Sequence, residues 1–254
     1  MISNRTSRNP GPESNRKTNA SAISIRPIYL LCGGGSRRMG RDKAMLPFGG
    51  GTLLEHQIGK CGDAFSEIVL LSGVRQYPVE LRHLPDTLED AGPLSGLLAA
   101  LEDSVAHPSP VRSSDTLAVM AVDLPAIRTG TVQWLASARL PEGCDAMVAV
   151  PDVPDTRHAG EGKTGHLKPA GELETGRPNS SRELKTGNPN PVRQLQPLLG
   201  LYRREIRSIL RGYLTDGQRP VKGFLAQIRV GTFTVPAPEL GNMNTGVDYR
   251  HFSR

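Results

Sequence analysis

Six short apolar runs, each bounded by turn residues, punctuate the chain: Ile28 to Leu31, Ile68 to Leu71, Leu117 to Val122, Met147 to Val150, Leu198 to Tyr202 and Thr232 to Val235. Continuous runs, as opposed to alternating ones, belong to strands covered on both faces. Between them lie amphipathic stretches of helical length at Thr52 to Cys61, Pro93 to Val105, Thr129 to Leu140 and Arg203 to Thr215. In the last of these Ile206, Ile209, Leu210 and Leu214 fall on one face. Strand alternating with helix predicts an α/β fold, a doubly wound and mainly parallel Rossmann-like sheet. Ligands of such sheets sit beyond the carboxyl ends of the strands, so the loops after these runs are where chemistry is expected.

Two stretches do not fit the pattern. Residues 1–26 are rich in Ser, Asn, Arg and Pro, and carry too little apolar surface to offset the entropy of ordering them, which predicts a disordered tail. Residues 153–193 are rich in proline and glycine and contain an 11-residue repeat: KTGHLKPAGEL from Lys163, ETGRPNSSREL from Glu174 and KTGNPNPVRQL from Lys185. Proline and glycine inside every unit forbid a helical repeat, and one leucine per unit builds no solenoid core, so a low-complexity insertion is expected. What remains, 27–152 with 194–254, is long enough for one domain with one core. The low hydrophobic fraction of 37% and aromatic fraction of 4% follow from the two interruptions. Three separated cysteines, Cys32, Cys61 and Cys144, encode neither a disulfide framework nor a zinc knuckle. With no apolar run long enough to span a membrane and no signal-like segment in the first 26 residues, a cytoplasmic location without membrane attachment is expected.

Directly after the first run comes Leu31-Cys32-Gly33-Gly34-Gly35-Ser36-Arg37-Arg38-Met39-Gly40-Arg41-Asp42-Lys43. The glycine spacing is neither that of a dinucleotide fingerprint nor that of a P-loop. Three glycines after a strand nevertheless let backbone amides approach an anion, and Arg38 with Lys43 adds a planar fork and a point charge suited to a polyphosphate. The strongest run ends in Val122-Asp123-Leu124-Pro125. A lone aspartate after a strand is commonly a turn or cap residue, but at the ligand edge of a sheet it is also where a hard cation is held together with nucleotide phosphates. Asp86, Glu89 and Asp90 precede Gly92-Pro93-Leu94-Ser95-Gly96, in which Pro93 suits the first turn of a helix and Gly96 suits close packing on a sheet. Near the end, Gly241-Asn242-Met243-Asn244-Thr245-Gly246-Val247-Asp248 carries asparagines that can organise a turn.

The glycine-rich stretch resembles the nucleotidyltransferase signature Leu-Ala-Gly-Gly-x-x-x-Arg-Met-Gly-x-Asp-Lys, most closely that of the molybdenum cofactor guanylyltransferases (MobA), with Cys32 in place of the usual alanine. The resemblance runs through Ile28 to Val150 and Gln196 to Asp248. It implies a nucleotidyltransferase fold in which Leu31, Cys32, Gly33, Gly34, Gly35, Lys43, Asp86 and Asp123 bind the nucleotide, Arg38, Lys43 and Asp123 are catalytic, Asp123 holds Mg²⁺, and Asn242 and Asn244 line the molybdopterin site. Asp90 competes with Asp86 for the nucleotide contact, because the spacing to Gly92-Pro93 is one residue shorter than in some relatives. Ser72-Gly73 stands where relatives often carry an asparagine that touches the nucleotide, and Gly246 replaces a proline.

The reaction so implied is transfer of GMP from GTP to the terminal phosphate of Mo-molybdopterin with release of pyrophosphate, with molybdenum-insertion or target-enzyme chaperones as possible protein partners. A cytidylyltransferase of the same cofactor and an NTP:sugar-phosphate nucleotidyltransferase are the neighbouring readings. The formal charge of +6 raises another, a basic nucleic-acid-binding protein. That excess is concentrated in residues 1–26, with five basic residues against one acidic, while 151–195 carry seven against six. The core has few aromatics for stacking bases, so no nucleic-acid partner is expected.

Overall fold

The computed structural model describes residues 26–33, 42–107, 115–152, 195–243 and Asp248. The tail 1–25, the insertion 153–193 and the loop residues Gly34, Gly35 and Arg38 lie outside the described residues, as does Asn244.

All six apolar runs are strands: β1 (Ile28–Leu31), β4 (Ile68–Leu71), β6 (Thr116–Ala121), β7 (Ala146–Asp152), β8 (Gln196–Arg203) and β9 (Val230–Pro236). They join β5 (Arg82–Leu84) in one seven-stranded sheet of order β5-β4-β1-β6-β8-β7-β9. Within this sheet every described pairing is parallel except those of β8, which runs antiparallel to both β6 and β7. A hairpin, β2 (Pro47–Phe48) with β3 (Gly51–Thr52), stands apart from the sheet. Its turn residues Gly49 and Gly50 have φ of 58° and 89°, the conformation that glycine adopts without strain.

Both faces of the sheet are covered, as the continuous runs predict. Ile28 and Leu30 point into one layer, with Met120, Leu53, Leu54 and Leu135; Tyr29 and Leu31 point into the other, with Leu94, Leu98, Leu210 and Phe224. The first layer is closed by α1 (Leu53–Cys61) and α3 (Thr129–Ser137), the second by α2 (Pro93–Ala106), α4 (Arg207–Thr215) and α5 (Val221–Leu225). A capping box starts α1: Thr52 Oγ1 accepts from the Glu55 amide while the Glu55 carboxylate accepts from the Thr52 amide. Helix α3 stops at Ser137, three residues short of the amphipathic pattern, because Ala138 turns extended ahead of Pro141. Helix α4 begins at Arg207, since β8 runs to Arg203 and a 3-10 turn follows it. Gly96 has a packing role. A Cβ there would lie 2.6 Å from the Leu31 Cδ1, so any larger residue would require the Leu31 side chain to move before α2 could rest this closely on β1.

One buried polar cluster ties the second layer together. The Tyr29 hydroxyl donates to Asp103 Oδ2 at 2.8 Å, and the Arg82 guanidinium grips both Asp103 oxygens while also pairing with Glu67. Desolvation pushes the Asp103 carboxyl up, but the bonds from Arg82 and Tyr29 outweigh it and the pKa falls below the ordinary carboxylate value. A depressed carboxylate pKa adds stability above the unfolded-chain value of about 3.9 and loses it as the pH falls through the folded value. Asp103→Asn should cost about 2 kcal/mol at pH 7, the order of the charge-assisted hydrogen bonds it loses, since Arg82 stays about a third exposed and keeps Glu67. In urea denaturation the gap between variant and wild type should narrow steadily below about pH 4.

Candidate active site

From β1 the chain builds outward through β4 to β5, then returns to the other side of β1 with β6. The crevice between the carboxyl ends of β1 and β6 is therefore the topological switch point, the place where an open α/β sheet binds ligand. A cleft of about 220 Å³ opens there, lined by Leu31, Cys32 and Gly33 after β1, by Ala121, Val122 and Asp123 at the end of β6, by Lys43, by Leu198 of β8, and by Gly92 and Pro93 at the start of α2.

Each wall has a local cause. After β1 the Cys32 and Gly33 amides both donate to the Leu71 carbonyl, at 3.1 and 3.0 Å, folding the loop over the end of β4. A Cβ on Gly33 would sit 3.1–3.3 Å from backbone atoms of Ser72 and Gly73, so this approach is open to glycine alone without a shift. Helix α2 begins at Pro93 behind Gly92, whose φ of 62° turns the chain into the helix; no side chain caps this end. Pro93 has no amide hydrogen and the Ser95 amide donates to the Gly92 carbonyl at 3.1 Å, so it is the positive end of the helix dipole that favours an anion at the cleft. Ser95 Oγ fixes the approach to the helix by exchanging hydrogen bonds with the Leu88 amide and carbonyl, at 2.9 and 2.8 Å.

Lys43 and Asp123 face each other across the cleft, Nζ to Oδ2 at 3.4 Å, with side chains 18% and 25% exposed. Lys43 opens a 3-10 turn (Lys43–Met45) that Asp42 caps by accepting from the Ala44 amide at 3.0 Å. Asp42 is itself anchored by the Tyr77 hydroxyl at 3.0 Å and by Arg75 at 3.2 Å, and the Tyr77 hydroxyl lies 3.3 Å from the Cys32 carbonyl. Tyr77 thereby links the turn that carries Lys43 to the loop after β1. Burial pushes the Cys32 thiol well above its ordinary value, so Cys32 packs as a small apolar residue and not as a thiolate.

The structure thus brings Leu31, Cys32, Gly33, Lys43 and Asp123 into one cleft. Asp86 stands outside its lining, on the same sheet edge beyond β5, where a Cβ on Gly73 would lie 3.1 Å from the Asp86 carboxylate. Desolvation raises the Asp86 pKa above its ordinary value. Asp90 is also outside the lining and adopts a left-handed φ of 50°, which makes it a turn residue. Asn242 does not line the cleft either, but its neighbour Met243 donates its amide to the Asp123 carbonyl at 2.9 Å. The roles of Tyr77, Arg75 and Gln57 escape the sequence pattern. Gln57 and Lys60 are polar residues buried on a helix whose apolar period already accounts for its face, and their partners are backbone carbonyls more than 60 residues away.

A family model for the MobA-like NTP transferase domain matches residues 28–230. The chain belongs to this family. Among its relatives, a probable molybdenum cofactor guanylyltransferase of Opitutus terrae is 36% identical over 124 residues, covering 48% of this chain and 56% of the relative. The chain thus spans little more than half of that relative's length. A probable molybdenum cofactor guanylyltransferase of Carboxydothermus hydrogenoformans is 25% identical over 231 residues, covering 87% of this chain and 92% of the relative. The crystal structure of molybdopterin-guanine dinucleotide biosynthesis protein A from Archaeoglobus fulgidus superposes with a TM-score of 0.60 at 18% identity, over 89% of this chain and 96% of that one, and shares the fold. No helix among the described residues is long and apolar enough to cross a membrane.

Proposed function

We propose that this chain transfers GMP from GTP to the terminal phosphate of Mo-molybdopterin, releasing pyrophosphate. The observation that carries the reading is the Lys43–Asp123 pair facing across the switch-point cleft beside the uncapped start of α2. Family membership and the names of the relatives support it.

In the proposed reaction an oxygen of the acceptor phosphate attacks the α-phosphorus of GTP, and the bond from that phosphorus to the bridging oxygen breaks. The nucleophile is already an anion at neutral pH, so no side chain has to remove a proton; positioning and charge neutralisation suffice. Leu31, Cys32 and Gly33 form the wall along which the nucleotide lies, with Asp86 at the β5 side; Gly34 and Gly35 are assigned to the nucleotide by the family signature alone. Lys43 and Arg38 neutralise charge on the pyrophosphate as it leaves. Asn242 is assigned to the acceptor side, joined to the centre through the neighbouring Met243 amide, and Asn244 is assigned there by the family resemblance alone.

Among the described residues no cluster of three or more His, Cys, Asp or Glu side chains forms a preorganised metal cage. A single carboxylate at a phosphate cleft fits Mg²⁺, which keeps several waters and takes its other ligands from phosphates. Asp123 would hold it, and when bound it would draw charge from the triphosphate oxygens.

Incubation with Mo-molybdopterin, Mg²⁺ and each α-labelled NTP in turn tests the reading. GTP label should appear in the product dinucleotide and that of CTP should not; transfer from CTP alone, or to a sugar phosphate in place of molybdopterin, would overturn it.

A further inference from the structure

The segment that carries Asp123 leaves the sheet as soon as β6 ends, and its backbone carbonyls need donors from elsewhere in the fold. Helix α1 supplies them. Gln57 is fully buried, and its Nε2 donates to the Val122 carbonyl at 3.2 Å and to the Leu124 carbonyl at 2.8 Å. One side-chain amide therefore holds the carbonyls of the two residues on either side of Asp123. Three residues along α1, on the same helical face, Lys60 Nζ donates to the Pro125 carbonyl at 2.8 Å. The Asp123 carbonyl takes the Met243 amide, and the Val122 amide donates to Leu31 at 3.1 Å.

The cost of this arrangement is visible in Gln57 itself. Its Oε1 is buried with no hydrogen-bond partner among the described residues. An apolar side chain of the same length would avoid that desolvation penalty. The two donated bonds are what the amide alone provides.

We infer that Gln57, assisted by Lys60, is a positioning residue for Asp123: it fixes the backbone on both sides of the carboxylate and so holds it at the cleft wall opposite Lys43. The inference rests on the proposed role of Asp123 in holding the divalent cation. A carboxylate whose Cα drifts loses alignment even when the residue is intact, and partners that orient a metal ligand are typically worth about 10- to 100-fold in metal affinity or activity.

The test compares wild type, Gln57→Met, Asp123→Asn and the double variant. Mn²⁺ affinity is measured by electron paramagnetic resonance in the presence of a non-hydrolysable GTP analogue, alongside metal-free binding of a fluorescent GTP analogue and thermal melting. Gln57→Met should weaken Mn²⁺ binding about 10-fold while metal-free nucleotide affinity stays within about twofold; in the Asp123→Asn background it should change Mn²⁺ affinity by less than about twofold, because the ligand it positions is already gone. Unchanged Mn²⁺ affinity in a folded Gln57→Met protein, or an equal loss with and without the Asp123 carboxylate, would make Gln57 a packing residue and overturn the inference. Should Gln57→Met melt below the assay temperature, Lys60→Met carries the same test, with a smaller shift in the same direction expected. If Asp123→Asn alone leaves Mn²⁺ affinity intact, the proposed role of Asp123 fails and the inference falls with it.

Discussion

Replacing Asp123 with alanine should lower the proposed GMP transfer by at least about 10³-fold while the protein stays folded. The expectation comes from position. Asp123 stands two residues beyond β6, a strand whose six residues are all buried; Met243 holds its carbonyl, and Leu31 and Gln57 hold the backbone of its neighbours Val122 and Leu124, so removing the side chain leaves the loop in place. Its pairing with Lys43 at 3.4 Å, with both side chains partly exposed, is worth less than about 1 kcal/mol to the fold. The thermal melting curve of Asp123→Ala should therefore overlay that of wild type within a few degrees. Steady-state transfer at increasing Mg²⁺ decides the rest. A loss that high Mg²⁺ does not repair fits a carboxylate required for the transition state, and near-normal turnover would remove Asp123 from the mechanism.

The central strands β1, β4 and β6 are legible in the sequence because each is a continuous apolar run buried on both sheet faces, a pattern that exposed loops do not imitate, whereas the edge strand β9 is mostly half-buried. β5 is not legible in this way. Arg82, His83 and Leu84 form an edge strand whose arginine is committed to Asp103 and Glu67, so no apolar run marks it. The hairpin β2–β3 was missed for the opposite reason, since two-residue strands have no period to read, although Gly49-Gly50 marks its turn. The antiparallel direction of β8 is likewise invisible in its composition, because an apolar run reads the same in either direction.

The site divides in the same way. Groups that touch the cleft carry local signals, a glycine after a strand or a carboxylate where an apolar run stops, and Gly33, Lys43 and Asp123 were found by them. Groups that hold those groups act across long sequence separations. Tyr77 reaches Asp42 over 35 residues, and Gln57 reaches Leu124 over 67. In one dimension Tyr77 is an aromatic near a proline and Gln57 a polar interruption of an amphipathic helix. Only the packing of α1 and of the segment after β4 against the carboxyl edge of the sheet gives them their partners.

Lys43→Met should cost about 10²- to 10³-fold in turnover, close behind Asp123→Ala, and by a different route. Methionine keeps most of the length and apolar stem of lysine and removes the charge. The turn it sits on does not depend on that charge: Asp42 caps it through the Ala44 amide, and Tyr77 and Arg75 hold Asp42. The loss should therefore lie in phosphate neutralisation, where one cation beside a leaving pyrophosphate is worth most as the bond breaks. Binding should separate the two variants. GTP affinity without metal should fall in Lys43→Met, which loses the proposed contact to the phosphates, and should hold or rise in Asp123→Ala, which removes a negative charge from the same cleft. Fluorescent GTP titrations in EDTA read this contrast directly. Equal weakening in both variants would mean that the pair acts on the nucleotide only as a unit, each side chain serving chiefly to orient the other.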